Sequence, residues 1–219
     1  MPAVAATQHL ARYSSEQVLV DPLLWLRGLI SANTTFGLTA VSDLHDDPLF
    51  DHMRCSHPVD SLPFAIPEGG VSASDGSGGI FSSDPRLRRC TWSVVVLSSD
   101  GDLLFWAGGR LPGKQTVPLA ELFGSEMAHK LTTGSSPHVL DAKYVTDGTR
   151  HGSKHPHASN VHAWARLWAN RVNRSGVLSP KWIPSHTKAH EISQLDIPPL
   201  YWLANHCADC VCNHFQEQE

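Results

Sequence analysis

From Val71 onward the chain alternates between short β-branched apolar runs and longer stretches with helical spacing, whereas residues 1–70 show no coherent period. Val71-Ser72-Ala73-Ser74-Asp75 alternates modestly and then meets glycine-rich turn chemistry. Cys90-Thr91-Trp92-Ser93-Val94-Val95-Val96-Leu97 is β-branched and aromatic and predicts a well-buried strand. Ser98-Ser99-Asp100-Gly101-Asp102 carries a hairpin signal, and Leu103-Leu104-Phe105-Trp106-Ala107 returns as the next strand. Helical spacing takes over at Pro118–Leu131, with proline near the first turn. A fourth strand ends near Asp141, and a short helix follows to about Thr149. Residues 160–172 place Val161, Trp164, Leu167, Trp168 and Val172 on one helical face. Lys181-Trp182-Ile183-Pro184 predicts a fifth strand. A last helix over about 198–215 aligns Leu200, Leu203, Ala204, Cys207 and Val211 as its buried stripe. Asn205 and Asp209, four residues apart, share a different face of it and are free to point into a site.

Upstream, Val18-Leu19-Val20 and the run Leu23 to Leu29 predict one short helix. The Asp-, Pro- and His-containing chain that follows, through Pro67-Glu68-Gly69-Gly70, reads as irregular. Residues 1–70 are therefore expected to form a partly helical extension, and residues 71–219 a separate α/β domain. Hydrophobic residues make up 41% of the chain, ordinary for a globular protein, and its 219 residues allow a well-buried core. No apolar run approaches the ~20 residues that a membrane span requires; Val18–Ile30 is broken by Asp21 and Arg27. The N-terminus lacks a basic-then-apolar secretory pattern. Five cysteines, three of them at 207, 210 and 212, do not form the even, dispersed set of a disulfide scaffold. An intracellular protein, cytoplasmic or nuclear, with reduced thiols is the expectation.

The net charge of −4 hides a sharp split. Residues 1–70 hold eight acids against three bases. Lys143 to His190 holds eight bases (Lys143, Arg150, Lys154, Arg166, Arg171, Arg174, Lys181, Lys188) and one acid, Asp147. Such a block either is a solvated basic face or contacts phosphates with release of counterions. An acidic metal pocket nearby favours the second, because such a pocket repels an anionic substrate unless cations surround it.

Four acids in four settings are the candidate chemistry: Asp75 in Ser74-Asp75-Gly76-Ser77, Glu121 in Pro118-Leu119-Ala120-Glu121, Asp141 in Asp141-Ala142-Lys143-Tyr144-Val145, and Asp209 in Asn205-His206-Cys207-Ala208-Asp209. Gathered by a fold, they would offer hard oxygen ligands suited to Mg²⁺ or Mn²⁺. Singly each setting is weak; Asp-Gly-Ser is also an ordinary turn sequence. Their order, with Leu111-Pro112-Gly113-Lys114-Gln115-Thr116 ahead of Glu121 and Trp182-Ile183-Pro184-Ser185-His186 ahead of Asp209, resembles the ribonuclease H family over roughly residues 71–215. The Lys-Gln-Thr stretch looks like cellular ribonucleases H, whereas Asp75 to Arg89 looks more like domains of non-LTR retroelement polyproteins.

The resemblance implies a ribonuclease H-like fold, a five-stranded mixed sheet flanked by helices. It implies a metal-dependent endonuclease that cuts the RNA strand of RNA–DNA hybrids by a two-metal-ion mechanism. Asp75, Glu121, Asp141 and Asp209 would hold two Mg²⁺ ions, Mn²⁺ being able to substitute, ~3.5–4 Å apart. His186 matches the family's mobile histidine, whose reference pKa of ~6.5 suits proton transfer or product release. Gly76, Ser77 and Asn205 would test the RNA 2′-hydroxyls in the minor groove. Lys114, Thr116 and Asn160 match a pocket for a DNA phosphate, with lysine replacing a frequent arginine. Val117 and Pro118 depart from the polar residues common before the glutamate, which weakens the expected minor-groove contacts. The resemblance implies an RNA–DNA hybrid as partner, and it allows a fused or associated reverse transcriptase as a protein partner. The alternative is a catalytically inactive module that binds nucleic acid or braces a retroelement polyprotein.

One rival site is local. His206-Cys207-x-x-Cys210-x-Cys212-x-His214 has zinc-type ligands, but on one helix Cys212 turns away from Cys207 and Cys210, a poor basis for tetrahedral coordination. His151, His155, His157 and His162 are too irregularly spaced to suggest a site.

Overall fold

The computed structural model describes residues 53–85, 87–151 and 160–217. The helix expected near residues 18–29 lies outside them, as do Lys154, His155 and His157. Strands β1 (Met53–Cys55) and β2 (Phe64–Ala65) come first. A meander of β3 (Val71–Ser77), β4 (Thr91–Leu97) and β5 (Leu103–Arg110) follows, then helix α1 (Val117–Leu131). Next come β6 (Thr132–Thr133), β7 (Ser136–Leu140), α2 (Lys143–His151), α3 (Val161–Asn173), β8 (Leu178–Trp182) and α4 (Pro199–Glu217). The main sheet runs β1-β5-β4-β3-β7-β8; β2 and β6 pair separately. β3, β4 and β5 are antiparallel to their neighbours in the meander, while β7 is parallel to both β3 and β8. This is a mixed α/β sheet flanked by helices, with the expected ribonuclease H-like order of elements.

The five expected strands are present, and β1 adds a sixth at the edge, pairing Met53 with Gly109 and Cys55 with Ala107. It falls in chain expected to be irregular, because three residues are too few to show a period of two. The last strand also starts earlier than Lys181, at Leu178, which is buried.

The period of β3 divides the molecule. Val71 and Ala73 join Val95, Leu97 and Val139 in a core closed by Ala204 and Ala208 of α4. The opposite face meets α1, and α3 packs on that helix, where Leu122, Leu140, Val145, Ala163, Trp164 and Leu167 form the second core. A fully buried leucine such as Leu167 contributes about 2 kcal/mol. The α1 face of β3 is polar, and it is satisfied from within: Ser72 Oγ and Ser74 Oγ lie 3.0 and 3.2 Å from the two ring nitrogens of His138. Burial drives the His138 imidazole well below its ordinary range, so the ring is neutral and accepts one of these bonds while donating the other.

Two helical faces differ from expectation. The buried line of α4 is Ala204, Ala208, Cys212 and Phe215, with Leu200, Leu203, Cys207 and Val211 only partly buried beside it. Small residues mark the closest approach: Ser93 Oγ donates to the Ala208 carbonyl at 2.7 Å, and Thr91 Oγ1 to that of Cys212 at 3.1 Å. On α3, Ala163, Trp164 and Leu167 are buried, but Val161 and Val172 are exposed. At 100° per residue Val172 points about 140° away from Leu167, so the two cannot share a stripe.

Candidate metal centre and cleft

Asp75 follows Val71 and Ala73 on β3 and emerges near the strand's C-terminal end. The parallel pairing of Ser72 with His138 and Ala73 with Val139, carried two residues farther, brings Asp75 level with Asp141 just past β7. Carboxyl ends of parallel strands beside a change of strand direction are where α/β sheets open a crevice. Glu121 arrives from the other side, on the second turn of α1. That helix can reach it because Gly76 has no side chain: a Cβ there would stand 2.2 Å from the Glu121 nitrogen and 2.4 Å from the Ala120 carbonyl carbon. Gly124, on the next turn, also packs closely: a Cβ there would stand 3.0 Å from the Asp75 carbonyl oxygen and 3.2 Å from that of Ser93. The two glycines seat α1 flush on the strand that carries Asp75.

Ligand oxygens of Asp75, Glu121 and Asp141 all lie within 4.8 Å of one another, and among the described residues no other group of three or more metal-capable side chains forms. Asp209, half-buried on α4, is not in that trio but lines the same cleft and receives a bond from Asn213 Nδ2 at 3.3 Å. The electrostatics match. Burial, with Asp141 and Asp209 adding repulsion, pushes the Asp75 carboxyl up to about 7. Burial and then Asp75 and Asp141 hold Glu121 well above the carboxylate range. Asp141 is raised by burial, with His186 pulling it back down. The Gly76 amide opposes the rise at both Asp75 and Glu121.

A hard divalent ion fits this donor set. The ligands are oxygens only, burial and mutual repulsion dominate at Asp75 and Glu121, and Glu121 Oε2 is buried without a hydrogen-bond partner. Asp75, Glu121 and Asp141 would hold it, with Asp209 beside them. Sulfur is excluded from the centre: the Cys212 thiol is buried, donates to the Asp75 carbonyl at 3.4 Å and is pushed well up, so it stays protonated. With Cys212 turned inward and Cys210 exposed, the cysteine–histidine run on α4 does not converge.

The cleft holds about 510 Å³ and is lined by all four acids together with Gly76, Ser77, His186 and Asn205. Asn205 Oδ1 is buried there without a partner. Lys114, Thr116 and Asn160 lie outside the cleft. Thr116 and Asn160 are the N-caps of α1 and α3, neither using its side chain as a cap. Lys114 is exposed on the preceding turn. Gln115 fixes that turn, accepting the Cys90 amide at 2.7 Å and donating to the Leu111 and Gly113 carbonyls at 2.8 Å.

Tyr144, Trp202 and His206 also line the cleft and were not expected there. Tyr144 donates to the Pro118 carbonyl, and Trp202 stacks on His206 at 5.2 Å with 4° between the rings. The spacing of Trp202, Asn205, His206 and Asp209 is that of a single helical face, a signal already present in the sequence.

No family model matches the chain, and no curated protein matches it. Solved structures similar to it include an N-terminal RNase H domain from Mycobacterium tuberculosis, at 17% identity and TM-score 0.48, covering 68% of this chain and 94% of that one. The RNase H1 of Halobacterium salinarum is similar at 14% identity and TM-score 0.48, covering 68% and 98%. A foamy viral protease-reverse transcriptase solved in complex with RNA/DNA hybrid is similar at 16% identity and TM-score 0.48, covering 74% of this chain and 22% of that one.

Proposed function

We propose that this chain is a Mg²⁺-dependent endonuclease that hydrolyses the RNA strand of RNA–DNA hybrids. The observation that carries the reading is the convergence of Asp75, Glu121 and Asp141, from three separate elements, to within 4.8 Å in an open cleft. Their order along the chain, with Asp209 and His186, is the order the ribonuclease H resemblance implies. Divalent ions held by Asp75, Glu121 and Asp141, with Asp209 beside them, would supply charge neutralisation and lower the pKa of a water at the phosphodiester.

The chain's own groups do the rest. Asp75 lies within reach of both Glu121 and Asp141 and would hold an ion together with either. Gly76 and Ser77 line the cleft directly after it and present backbone and hydroxyl groups to a minor groove, where only RNA offers 2′-hydroxyls. Asn205 adds an unpartnered amide oxygen on the same wall. His186, exposed at the cleft and close enough to act on Asp141, can accept or return a proton. Arg150 and Lys181 line a second hollow that shares Ile183 with the cleft, and the Lys143 ammonium sits 5.5 Å over the Trp182 ring, so cations flank the acids. They would attract a polyanion that the centre itself repels.

The test is incubation of the protein with labelled RNA–DNA hybrid, double-stranded RNA and double-stranded DNA, with and without Mg²⁺. Cleavage confined to the RNA of the hybrid, requiring Mg²⁺ and falling at least about 10³-fold in Asp75→Asn while hybrid binding survives, is the expected result. Hybrid binding without cleavage in Mg²⁺ and in Mn²⁺ would instead identify an inactive nucleic-acid-binding module.

A further inference from the structure

We propose that Trp202 is a positioning residue that anchors the turn carrying His186, so that this histidine is held in place at the cleft. The inference rests on the hydrolase reading of the same cleft for its consequence, but not for its geometry.

The turn runs from Ile183, buried against the α4 side of the sheet, to Lys188. His186 itself is exposed and adopts φ 55°, a left-handed conformation uncommon for residues with a Cβ and held most readily where the surroundings favour it. Three bonds favour it here. Thr187 Oγ1 donates to the Pro184 carbonyl at 2.7 Å and closes the turn on itself. The Lys188 amide donates to Glu191 Oε2 at 2.8 Å and ties down its exit. Between them, the Trp202 indole Nε1 donates to the Thr187 carbonyl at 2.7 Å, a bond that links the middle of the turn to α4.

Trp202 is suited to this because α4 starts early. The helix begins at Pro199, ten residues ahead of Asp209, so its first turns rise beside the cleft. Ile197, buried in the core, fixes the approach of the chain to that helix. The indole is held in plane by His206, stacked on it one turn along α4. The result is a rigid lever: the helix that carries Asp209 also fixes the backbone one residue after His186. A histidine that acts on a proton must be placed within hydrogen-bond reach, and a displacement of about 1 Å can cost up to ~10²-fold in rate. Without the indole N–H, His186 would leave its left-handed conformation for more populated ones, while the acid cluster, held by β3, α1 and β7, would stay intact.

The first measurement needs no variant. In the full chain, the Trp202 indole proton is expected to be protected from solvent exchange, and exchange at the rate of a free indole would overturn the proposal. The second uses Trp202→Phe, which keeps the ring against His206 but removes the donor. The folded variant should show increased backbone motion at residues 185–188 by ¹⁵N relaxation; unchanged relaxation there would overturn the proposal. With Mg²⁺ and labelled hybrid, kcat should fall about tenfold with KM unchanged. Introduced into His186→Ala, the same change should alter kcat by less than about twofold, since the two residues act through one group. An equal tenfold loss in that background would mean Trp202 acts by another route and would also overturn it. If the wild-type chain cleaves no hybrid, the functional reading fails, and the exchange and relaxation measurements still decide whether the anchor exists.

Discussion

At Asp75 two demands meet. Burial and the neighbouring Asp141 and Asp209 push its carboxyl up to about 7, yet a hard cation requires it ionised. In the unfolded chain the same group has an ordinary value near 3.8. Between those two values the folded state keeps a proton that the unfolded state loses, so this residue's contribution to stability declines as pH rises through that window. Above pH 7 the ionised group costs on the order of a few kcal/mol in the absence of metal. Asp75→Asn should therefore melt at higher temperature than wild type at pH 8 in EDTA, with the gap closing as pH falls toward 4. Mg²⁺ should raise the melting temperature of wild type at pH 8 and leave the variant unmoved. Thermal melts across pH, with and without Mg²⁺, check both; a variant that melts lower than wild type at pH 8 in EDTA would contradict the repulsion. Asp75, Glu121, Asp141 and Asp209 were legible in the sequence because each sits in a short, ordered local setting. Tyr144 was not, because a lone aromatic near a helix start looks the same whether it faces a core or a cleft.

Between elements, the decisive contact is α1 on β3. Gly76→Ala would place a methyl group 2.2 Å from the Glu121 nitrogen, against backbone that has nowhere to give. The helix must lift, at a cost of about 1–3 kcal/mol, and Glu121 moves with it. Chemical denaturation should show that loss, and calorimetric titration with Mg²⁺ should show affinity reduced about tenfold or more. Full affinity in the variant would mean the helix tolerates displacement without moving the acid. The strands expected at 90–97 and 103–107 and the helix expected at 118–131 could be read from local composition and turn chemistry, and they lie within a few residues of the observed elements. The buried line of α4 could be read only in part: the expected stripe included Ala204, which is buried, but also Leu200, Leu203, Cys207 and Val211, whereas the sheet selects Ala208 and Cys212, small residues that let backbones come close. What periodicity reports is which residues are apolar, not which of them are small enough for the contact.

For the molecule as a whole, the sheet's order brings acids from β3, α1, the end of β7 and α4 to one side, although Asp75 and Asp209 are separated by most of the described chain. That convergence was legible only through resemblance; no spacing rule predicts that β7 inserts next to β3 instead of next to β5. The opposite margin of the sheet has its own consequence. Met53–Cys55 covers the outer side of β5 at Ala107–Gly109, and Ser56 extends the cover to Trp106, its amide donating to the Trp106 carbonyl at 2.9 Å. A chain trimmed to residues 71–219 would keep every acid of the cleft but leave a bare β rim whose glycine pair, Gly108-Gly109, offers no side chains to deter a stranger. Such a fragment should self-associate with rising concentration in sedimentation velocity, more than a chain that retains residues 53–56 does.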